Sequence, residues 1–444
     1  MRKQQRARHA WRRRAAVGVV SLALVTTACG DDDDDATTTE PAGTEVPVAT
    51  EAPEVTDAPS DTATSDTATS DTADATDATV ATEDTGGGGS SGGTVAPVEC
   101  DSPDPVKLQL QWATQAQFGG YFAAADQGFY EAMCLDVELI ETGVDIAPQQ
   151  PLADKQVDFA IAWVPKALAT REQGANIVNI AQMFQRSGTL QVSFKDAGIT
   201  SAADFAGKRI GNWGFGNEYE IFAALGKEGI DPSTGVELVA QQFNMDGLLN
   251  GEIDAAEAMT YNEYAQVLEA ENPETGELYT ADDLNVVSYE EEGVGMLQDA
   301  IWADGDRLES DPEYTDMATR FIAASIQGWA YCRDEPESCR DIVVAAGSQL
   351  GDSHQLWQMN EVNKLVWPAK GGIGMMDTES WDRTVDIAQS TPNLEGSTVL
   401  TEPPTEGAYT TEIVEAAYEL LGDAVDIHGT DFEPIEVTLE PGGA

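Results

Sequence analysis

Hydrophobic and polar positions alternate from Val106 to Gln111, and the alternation then stops. Apolar side chains at Val106, Leu108 and Leu110 are separated by polar ones, the period of two that is typical of a β-strand. From Trp112 the pattern gives way to amides, aromatics and glycines, and a helical run follows as far as Gly128. Open α/β sheets hold ligands where their strands end. The segment 112–121 is therefore the first candidate for a binding site.

The same rhythm continues along the chain and predicts an α/β fold. Further strands are predicted at 136–140, 157–162 and 177–183, with helical segments between them. Such an order favours a mainly parallel sheet with helices on both faces. A second set of strands and helices begins near Gln191, and the strand-like segment 298–303 indicates a return to the first set near Gly295.

The first 28 residues predict export. Seven basic residues precede an apolar run from Ala15 to Val25, which is too short to span a membrane comfortably. Small residues then stand directly before Cys29, as in a bacterial lipobox, although Thr26 occupies a position where leucine is more usual. We expect cleavage before Cys29, lipid attachment to it, and anchoring on the extracytoplasmic face of the cell membrane. An ordinary secretory signal cut nearby is the alternative.

Residues 29–99 are predicted to be a disordered linker. The segment is rich in Thr, Ala, Asp and Gly, includes the acidic run 31–35 and ends near a glycine-serine tract at 86–93. Such a composition buries too little apolar surface to offset the entropy lost on ordering. We expect a tether between the lipid anchor and a globular domain, and whether its threonines are glycosylated stays open.

The formal net charge of −56 over 444 residues argues against two classes of partner. Nucleic acid and anionic membrane surfaces would both repel such a protein. Charge otherwise concerns solubility rather than fold. We therefore expect no nucleic acid partner. Independently of the charge, we expect a monomer that binds a small-molecule solute.

Export makes the four cysteines after Cys29 candidates for disulfides. Four cysteines permit three pairings. Cys332 and Cys339 flank a short turn-like segment, which favours a local bridge. Cys100 and Cys134 each precede a predicted strand, so these two can meet if the strands are neighbours. No His or Cys spacing fits a zinc site, and we expect neither a metal nor a cofactor.

Four segments together resemble the SsuA/THI5-like (NMT1) family of solute-binding proteins of ABC importers: 112–137, 157–163, 204–218 and 251–263. The resemblance implies a two-lobed, type II periplasmic-binding-protein-like fold, each lobe a mainly parallel sheet flanked by helices. It implies that lobe 1 comprises residues 100–192 and 295–444, the latter including C-terminal helices and a tail, and that lobe 2 comprises 193–294. The lobes would close over a solute by hinge motion and deliver it to an ABC permease in the cytoplasmic membrane.

Lobe 1 offers seven candidate ligand-binding residues near predicted strand ends. The two tryptophans could stack on a flat ligand, and the amides could hydrogen-bond to the edge of a heterocycle. Each could instead pack in the core or face solvent. The candidates are Trp112, Gln115, Gln117, Tyr121, Trp163, Gln185 and Arg186.

Lobe 2 offers six more, in two segments that each join a strand to a helix. Glycines around Asn217 let backbone N–H groups approach a ligand, and a helix N-terminus favours an anion or a carbonyl oxygen. Asn217 could equally serve only as an N-cap, and Glu218 would oppose a bound anion. The candidates are Trp213, Phe215, Asn217, Glu218, Tyr261 and Asn262.

The predicted pocket is aromatic and amide-rich, with one arginine and at least one carboxylate. It favours a small planar nitrogenous solute, a thiamine-precursor pyrimidine or a riboflavin-like ring. The alternative is sulfonate, taurine or nitrate, which would be better served by more positive charge. Some members of the resembling family are thiamine pyrimidine synthases, but the segment 112–121 contains neither histidine nor lysine. We therefore expect a binding protein without catalytic residues rather than an enzyme.

Overall fold

The computed structural model describes residues 95–143, 146–214 and 216–444. The predicted signal peptide, the predicted lipid site at Cys29, most of the predicted linker and Phe215 lie outside these residues. Within the described part of the chain, no helix is both long and apolar enough to cross a membrane.

The described residues contain ten strands, in three sheets. In chain order the strands are β1 (Asp104–Gln109), β2 (Leu135–Ile140), β3 (Phe159–Trp163), β4 (Ile177–Gln182), β5 (Thr189–Phe194), β6 (Arg209–Asn212), β7 (Glu237–Ala240), β8 (Ala256–Met259), β9 (Leu284–Ser288) and β10 (Asp299–Asp304).

The sheet of lobe 1 has five strands in the order β2-β1-β3-β10-β4. β1 pairs in parallel with β2 and β3, as the strand–helix–strand pattern predicts. β10 lies between β3 and β4 and is antiparallel to both, because the chain returns to this sheet from lobe 2. Burial follows the alternation at the start of β1, where Val106 and Leu108 are buried while Lys107 is exposed. The polar Gln109 departs from it, because it is buried and its Nε2–H donates to the Ile140 and Glu141 carbonyl oxygens.

Lobe 2 contains the three-stranded sheet β8-β5-β9 and the separate pair β6–β7. The three-stranded sheet is antiparallel, because β5 brings the chain into the lobe and β9 takes it out again. Parallel pairing in this lobe is confined to β6 with β7 and to a bridge between Ile210 and Ala255. β5 begins at Thr189, so this sheet starts before residue 193, where the sequence places the lobe boundary.

Thirteen α-helices accompany these strands in the described residues. They are α1 (Gly119–Asp126), α2 (Phe129–Ala132), α3 (Gln149–Ala153), α4 (Val164–Glu172), α5 (Tyr219–Lys227), α6 (Asp246–Leu249), α7 (Glu263–Leu268), α8 (Gly305–Ser310), α9 (Pro312–Asp334), α10 (Pro336–Ala345), α11 (Asp352–Val366), α12 (Thr378–Ser390) and α13 (Glu412–Leu421).

Two glycines allow α1 and α9 to pack closely. A Cβ atom on Gly328 of α9 would collide with the carbonyl oxygen of Gly120, and one on Gly120 would collide with the ring of Trp329. Gly120 is part of the glycine pair that suggested a ligand-binding junction in the sequence. In the structure it serves helix packing.

Two crossover segments connect the lobes and lie side by side, one between β4 and β5 and the other between β9 and β10. Gln298 joins them, because its Oε1 accepts from Gly188 N–H at 2.9 Å and its Nε2 donates to the Thr189 hydroxyl at 2.7 Å. Glu290 adds a second connection, since its Oε2 accepts from Ser187 N–H at 3.1 Å. The two segments that connect the lobes are therefore hydrogen-bonded to each other.

Disulfides connect Cys100 with Cys134 and Cys332 with Cys339. The first lies where the neighbouring strands β1 and β2 begin, and the second joins α9 to α10. Of the three possible pairings, the structure has the one that the local turn and the neighbouring strands favour.

Candidate ligand-binding site

A cavity of about 700 Å³ lies where strand ends of both lobes meet. Its walls are built mainly from residues that directly follow β1, β3, β6, β7 and β8, which is where open α/β sheets hold ligands. From lobe 1 the cavity is lined by Gln111, Trp112, Gln115, Gln117, Trp163 and Lys166, among others. From lobe 2 it is lined by Trp213, Asn217, Phe243, Tyr261, Asn262 and Glu263, among others.

Three aromatic rings from the two lobes meet at this cavity. The Phe243 ring centroid is 5.2 Å from that of Trp112 in lobe 1 and 5.8 Å from that of Trp213 in lobe 2. The Phe243 and Trp213 rings are stacked, with 20° between their planes. Phe243 is 38% exposed, whereas Trp213 is 5% exposed and packs in the core behind it. All three rings line the cavity, where a planar solute can contact them.

A buried carboxylate, Asp299, holds the amides on the lobe 1 side in place. Its Oδ1 accepts from Trp163 Nε1–H at 2.9 Å and from Gln111 Nε2–H at 3.4 Å. Its Oδ2 accepts from Gln117 Nε2–H at 2.9 Å, and Gln117 Oε1 accepts from Gln115 Nε2–H at 2.7 Å. One carboxyl group at the start of β10 thus orients three cavity-lining amides.

The surroundings of the Asp299 carboxyl group bring its pKa close to neutral pH. Burial raises the pKa of Asp299 to about 7, while hydrogen bonds from Gln117 and Trp163 and the nearby charge of Lys166 oppose the rise. Its side chain therefore changes charge in a range where an exposed aspartate is fully ionised. Shifts of this kind are concentrated at functional sites.

Lys166 places a cation at the cavity, in the first turn of α4. Its Nζ donates to Asn217 Oδ1 across the cleft at 2.9 Å and lies 4.8 Å from the centroid of the Trp163 ring. Burial lowers the pKa of Lys166 to about 8, and nearby carboxylates oppose the decrease. The ammonium group is therefore already engaged with protein groups, and it still carries most of its charge at pH 7.

The polar wall of lobe 2 is formed by Asn262 and Glu263. Asn262 Nδ2–H donates to Glu263 Oε1 at 2.8 Å, and Asn262 Oδ1 lies 3.0 Å from His354 Nε2. Glu263 Oε2 also accepts from Met259 N–H at 3.0 Å. Burial raises the pKa of Glu263. The Asn262 amide is thus held from behind by two titratable side chains.

Glu257 supports the backbone behind the aromatic rings. It is fully buried, and its Oε2 accepts from Trp213 N–H at 2.7 Å, whereas its Oε1 has no partner among the described residues. Burial raises the pKa of Glu257 well above its ordinary value. For residues 95–143, 146–214 and 216–444, no group of three or more His, Cys, Asp or Glu side chains is placed to hold a metal ion.

The cavity brings together eight of the thirteen ligand-binding residues that the sequence predicts. That these residues contact a solute stays a prediction. The eight are Trp112, Gln115, Gln117, Trp163, Trp213, Asn217, Tyr261 and Asn262.

Two of the remaining candidates are occupied elsewhere in lobe 1. Tyr121 is buried in α1 with its ring edge-on to Trp329, at a centroid distance of 5.6 Å. Gln185 donates to the Gln182 carbonyl oxygen at 2.6 Å, a local contact that closes the turn after β4. Neither side chain lines the cavity.

The two charged candidates also lie outside the cavity lining. The Arg186 guanidinium donates to three carbonyl oxygens at the end of α11, those of Lys364, Trp367 and Pro368. Glu218 accepts from Gly216 N–H at 2.9 Å. The prediction that Arg186 lies in the pocket is therefore wrong, because carbonyl groups at the end of α11 bind its guanidinium group. The cation that lines the cavity is Lys166.

The predicted ligand-binding residues omit five side chains that shape the site. A usable signal existed for Lys166, which follows a strand-end tryptophan in the segment 163–166, and for Gln111, which ends the first alternating segment. Phe243 lies in a loop, and Asp299 lies within the predicted strand segment 298–303, where an acid ordinarily indicates an exposed face. Glu263 directly follows the predicted residue Asn262.

The NMT1/THI5-like family model matches residues 115–339, just over half of the 444-residue chain. The chain belongs to the NMT1/THI5-like family. The matched region contains most of the cavity-lining residues and both crossover segments, so in this family member the site lies within the part of the chain that defines the family. The resemblance that the sequence motifs indicated is confirmed.

Two relatives are similar to this NMT1/THI5-like chain over most of their own length. The riboflavin-binding protein RibY of Chloroflexus aurantiacus is 24% identical over 314 residues, which cover 67% of this chain and 84% of RibY. The formylaminopyrimidine-binding protein of Halalkalibacterium halodurans is 18% identical over 287 residues, which cover 64% of this chain and 84% of that protein.

A solved structure gives the corresponding fold. The periplasmic sulfonate-binding protein SsuA of Methylobacillus flagellatus superimposes on this NMT1/THI5-like chain with a TM-score of 0.51 at 15% identity. The match covers 72% of this chain and 96% of SsuA. The predicted α/β fold of the periplasmic-binding-protein type is therefore confirmed.

Proposed function

We propose that this protein is the extracytoplasmic solute-binding component of an ABC importer and captures a planar nitrogenous solute in the cleft between its lobes. The observation that carries the proposal is the meeting of Trp112 from one lobe with Phe243 and Trp213 from the other at a single cavity. Aromatic faces are suited to flat heterocycles, and the amides beside them suit a heterocycle's polar edge.

The size of the cavity supports a ligand larger than a single small anion. Pockets for ligands of drug size measure roughly 300–1,000 Å³, and this cavity measures about 700 Å³. A riboflavin-like ring system fits such a space better than nitrate or taurine, and a thiamine-precursor pyrimidine would leave room for water. The names of two relatives, a riboflavin-binding and a formylaminopyrimidine-binding protein, agree with this class of solute.

Capture by closure of the lobes is supported by contacts that already cross the cleft. Lys166 of lobe 1 donates to Asn217 of lobe 2, and Trp112 contacts Phe243. The crossover segments joined by Gln298 are the natural hinge, since hinge closure around ligands rests on a few residues at the ends of elements. The partner of the closed form is an ABC permease, in keeping with the sulfonate ABC transporter named for SsuA.

Export and anchoring complete the proposal. The basic and apolar segments before Cys29 support secretion, and lipid on Cys29 would hold the protein at the outer face of the cytoplasmic membrane through the segment 29–99. Two disulfides fit an oxidising compartment. Metabolic labelling with a palmitate analogue tests the anchor, and retention of the label in a Cys29→Ala variant would contradict it.

Sulfonate binding is the second candidate, and Lys166 is the observation in its favour. A cation beside an aromatic ring could hold a sulfonate group. However, its Nζ is bonded to Asn217, and burial lowers its pKa to about 8. Buried carboxyl groups at Asp299 and Glu263 also stand near the same cavity. The site therefore favours a neutral or weakly basic ring over an anion.

Calorimetric titration of the purified protein separates these candidates and the enzyme alternative. We expect riboflavin or 4-amino-5-hydroxymethyl-2-methylpyrimidine to bind and to be recovered unchanged, with taurine and nitrate giving no heat. Lys166→Met should leave binding of the ring compound within a few-fold. Tight binding of taurine that Lys166→Met abolishes, with no binding of either ring compound, would instead establish the sulfonate candidate.

A further inference from the structure

The orientation of one cavity amide is independent of any titration. Trp163 has two N–H groups, and neither can accept a hydrogen bond. Its backbone N–H donates to Gln111 Oε1 at 2.9 Å, so Gln111 must direct its NH₂ group the other way, towards Asp299 Oδ1. The Trp163 indole N–H donates to the same oxygen at 2.9 Å. Asp299 Oδ1 therefore receives two fixed donors.

The position of a proton on Asp299 follows from this arrangement. Because Oδ1 is surrounded by donors, an added proton can be accommodated only on Oδ2, which faces Gln117 at 2.9 Å. Gln117 is 4% exposed and in turn contacts Gln115. A change at Oδ2 is thus transmitted to a side chain that can reverse the positions of its oxygen and nitrogen by rotating its terminal amide.

When Asp299 is ionised, the side-chain amides of Gln117 and Gln115 take one orientation. Gln117 Nε2–H donates to Oδ2, so Gln117 Oε1 points towards Gln115 and accepts from Gln115 Nε2–H at 2.7 Å. Gln115 Oε1 then has no hydrogen-bond partner among the described residues, and the residue lines the cavity. In this state Gln115 presents a carbonyl oxygen, an acceptor, to a solute.

The protonated state gives the opposite orientation. A proton taken from solvent onto Oδ2 makes that oxygen a donor, which requires Gln117 to present Oε1 to it and Nε2–H to Gln115. Gln115 must then accept with its Oε1 and turn its NH₂ group to the cavity. We propose that Asp299 is a specificity-determining positioning residue that sets, through Gln117, whether Gln115 offers the solute an acceptor or a donor.

The surroundings of Asp299 are consistent with a change of state near neutral pH. Three titratable groups face it from the elements packed against it: Lys166 from α4, Tyr121 from α1 and Tyr261 from the segment after β8. Burial and the charge of Asp299 both raise the pKa of each tyrosine, so the tyrosines stay neutral. With burial raising the pKa of Asp299 to about 7, the acceptor form prevails above that pH and the donor form below it.

The inference rests on the proposed function and names the class of solute more closely. Above pH 7 the cavity is matched to a ring N–H or amino group, as in an imide or an aminopyrimidine, and mismatched to a sulfonate or nitrate oxygen. Riboflavin, whose ring carries an imide N–H, is the probe. We expect its affinity for the wild-type protein to fall roughly fivefold between pH 7.5 and pH 5.5, as one hydrogen bond is replaced by two opposed donors. Lys166, with a pKa of about 8, keeps most of its charge over this range.

We call the hydrogen-bonded side chains Asp299, Gln117 and Gln115 the relay. Asp299→Asn tests the relay, because the asparagine amide can supply a donor to Gln117 at every pH. Riboflavin affinity in this variant should be low and constant across the same pH range. Gln117→Met removes the amide between Asp299 and Gln115 while leaving Asp299 bonded to Trp163. It should also abolish the pH dependence of riboflavin affinity. A wild-type pH profile retained in either folded variant would overturn the proposal.

A readout without ligand keeps the two proposals separate. The side-chain amide resonances of Gln115, observed by ¹⁵N NMR, should shift with a midpoint near pH 7 in the wild type and not in Gln117→Met. Absence of that shift overturns the relay whether or not riboflavin binds. A clear shift together with no binding of riboflavin or aminopyrimidine at any pH overturns the proposed function and leaves the relay intact.

Discussion

His354 Nδ1 lies 2.8 Å from Glu269 Oε1, and this buried pair joins α11 to the end of α7 in lobe 2. The other ring nitrogen lies 3.0 Å from Oδ1 of the cavity residue Asn262. One turn further along α11, Gln358 Oε1 accepts from the backbone of Gln117 in lobe 1 at 3.3 Å. A single C-terminal helix therefore contacts the cavity walls of both lobes.

Replacing His354 by alanine should destabilise the protein strongly. The substitution leaves the Glu269 carboxylate buried without its partner, and losing one member of a buried pair costs about 3–5 kcal/mol. Chemical unfolding at pH 7 measures the loss. His428→Ala is the matched control, because His428 is exposed and its one side-chain contact, from Nδ1 to the Ala369 carbonyl oxygen at 3.3 Å, is a single hydrogen bond. It should change the free energy of unfolding by at most about 1 kcal/mol. The double variant His354→Ala, Glu269→Gln should recover part of the loss.

Trp112→Ala should weaken solute binding without unfolding the protein. Trp112 is only partly buried and packs on the exposed Phe243, so its ring is part of a binding surface. We expect riboflavin affinity to fall at least roughly tenfold, whereas Trp112→Phe, which keeps a ring, should bind within a few-fold of wild type. If the ligand-free Trp112→Ala protein showed no cooperative thermal transition, Trp112 would be a core residue instead.

Gly328→Ala and Gly226→Ala should change stability in opposite directions, although both add one methyl group to a helix. At Gly328 the new Cβ meets the Gly120 carbonyl oxygen, so α1 and α9 must separate, at a cost of roughly 1–3 kcal/mol. At Gly226, exposed in α5, no atom lies within 4 Å of the new Cβ, and alanine should stabilise the helix by about 0.5–1 kcal/mol. Melting temperatures of the two variants check both signs.

Glu220→Gln should become more stable relative to wild type as the pH rises. Burial raises the pKa of Glu220 from 4.5 to about 7, despite a hydrogen bond from Met296 N–H at 2.6 Å. The folded protein therefore binds a proton that the unfolded chain releases, so the stability from this group is complete below about pH 4.5 and is lost as the pH rises to about 7. The difference in unfolding free energy between variant and wild type should shift by about 3 kcal/mol between pH 4.5 and pH 8.

Glu228→Gln is the control for that comparison, because it removes a carboxylate from an exposed position just after the same helix. The pH-dependent difference should be absent there. An equal shift in both variants would mean that the effect arises from net charge rather than from burial of Glu220.

The order of elements in lobe 1 could be predicted because its strands carry local patterns: alternation at the start of β1, and mainly apolar runs along the fully buried β3 and β4. Strand ends then indicated eight cavity residues from segments far apart in the chain. Local patterns do not show whether two strands pair in parallel or antiparallel. β10 is antiparallel to both of its neighbours because the chain returns to this sheet from lobe 2. The antiparallel sheet of lobe 2 has the same cause.

The errors concern partners that lie far along the chain. Arg186 follows a strand as a binding residue should, but the carbonyl groups that take its guanidinium lie 178 or more residues later. The glycine at position 120 suggests a backbone open to ligand until its neighbour Gly328 is known. Asp299 could not be distinguished from an exposed strand acid, because only the folded arrangement brings Gln111, Gln117 and Trp163 around it.

The hydrogen bond from the Trp163 indole to Asp299 also makes the indole N–H proton a reporter of the charge on Asp299. The indole proton faces Oδ1 in both charge states, so the identity of the contact stays constant while its strength changes. A bond to an ionised carboxylate is shorter and roughly twice as strong as one to a neutral acid. The chemical shift of that one proton should therefore follow the charge of a buried group in the intact protein, with no ligand added and no residue of the relay replaced.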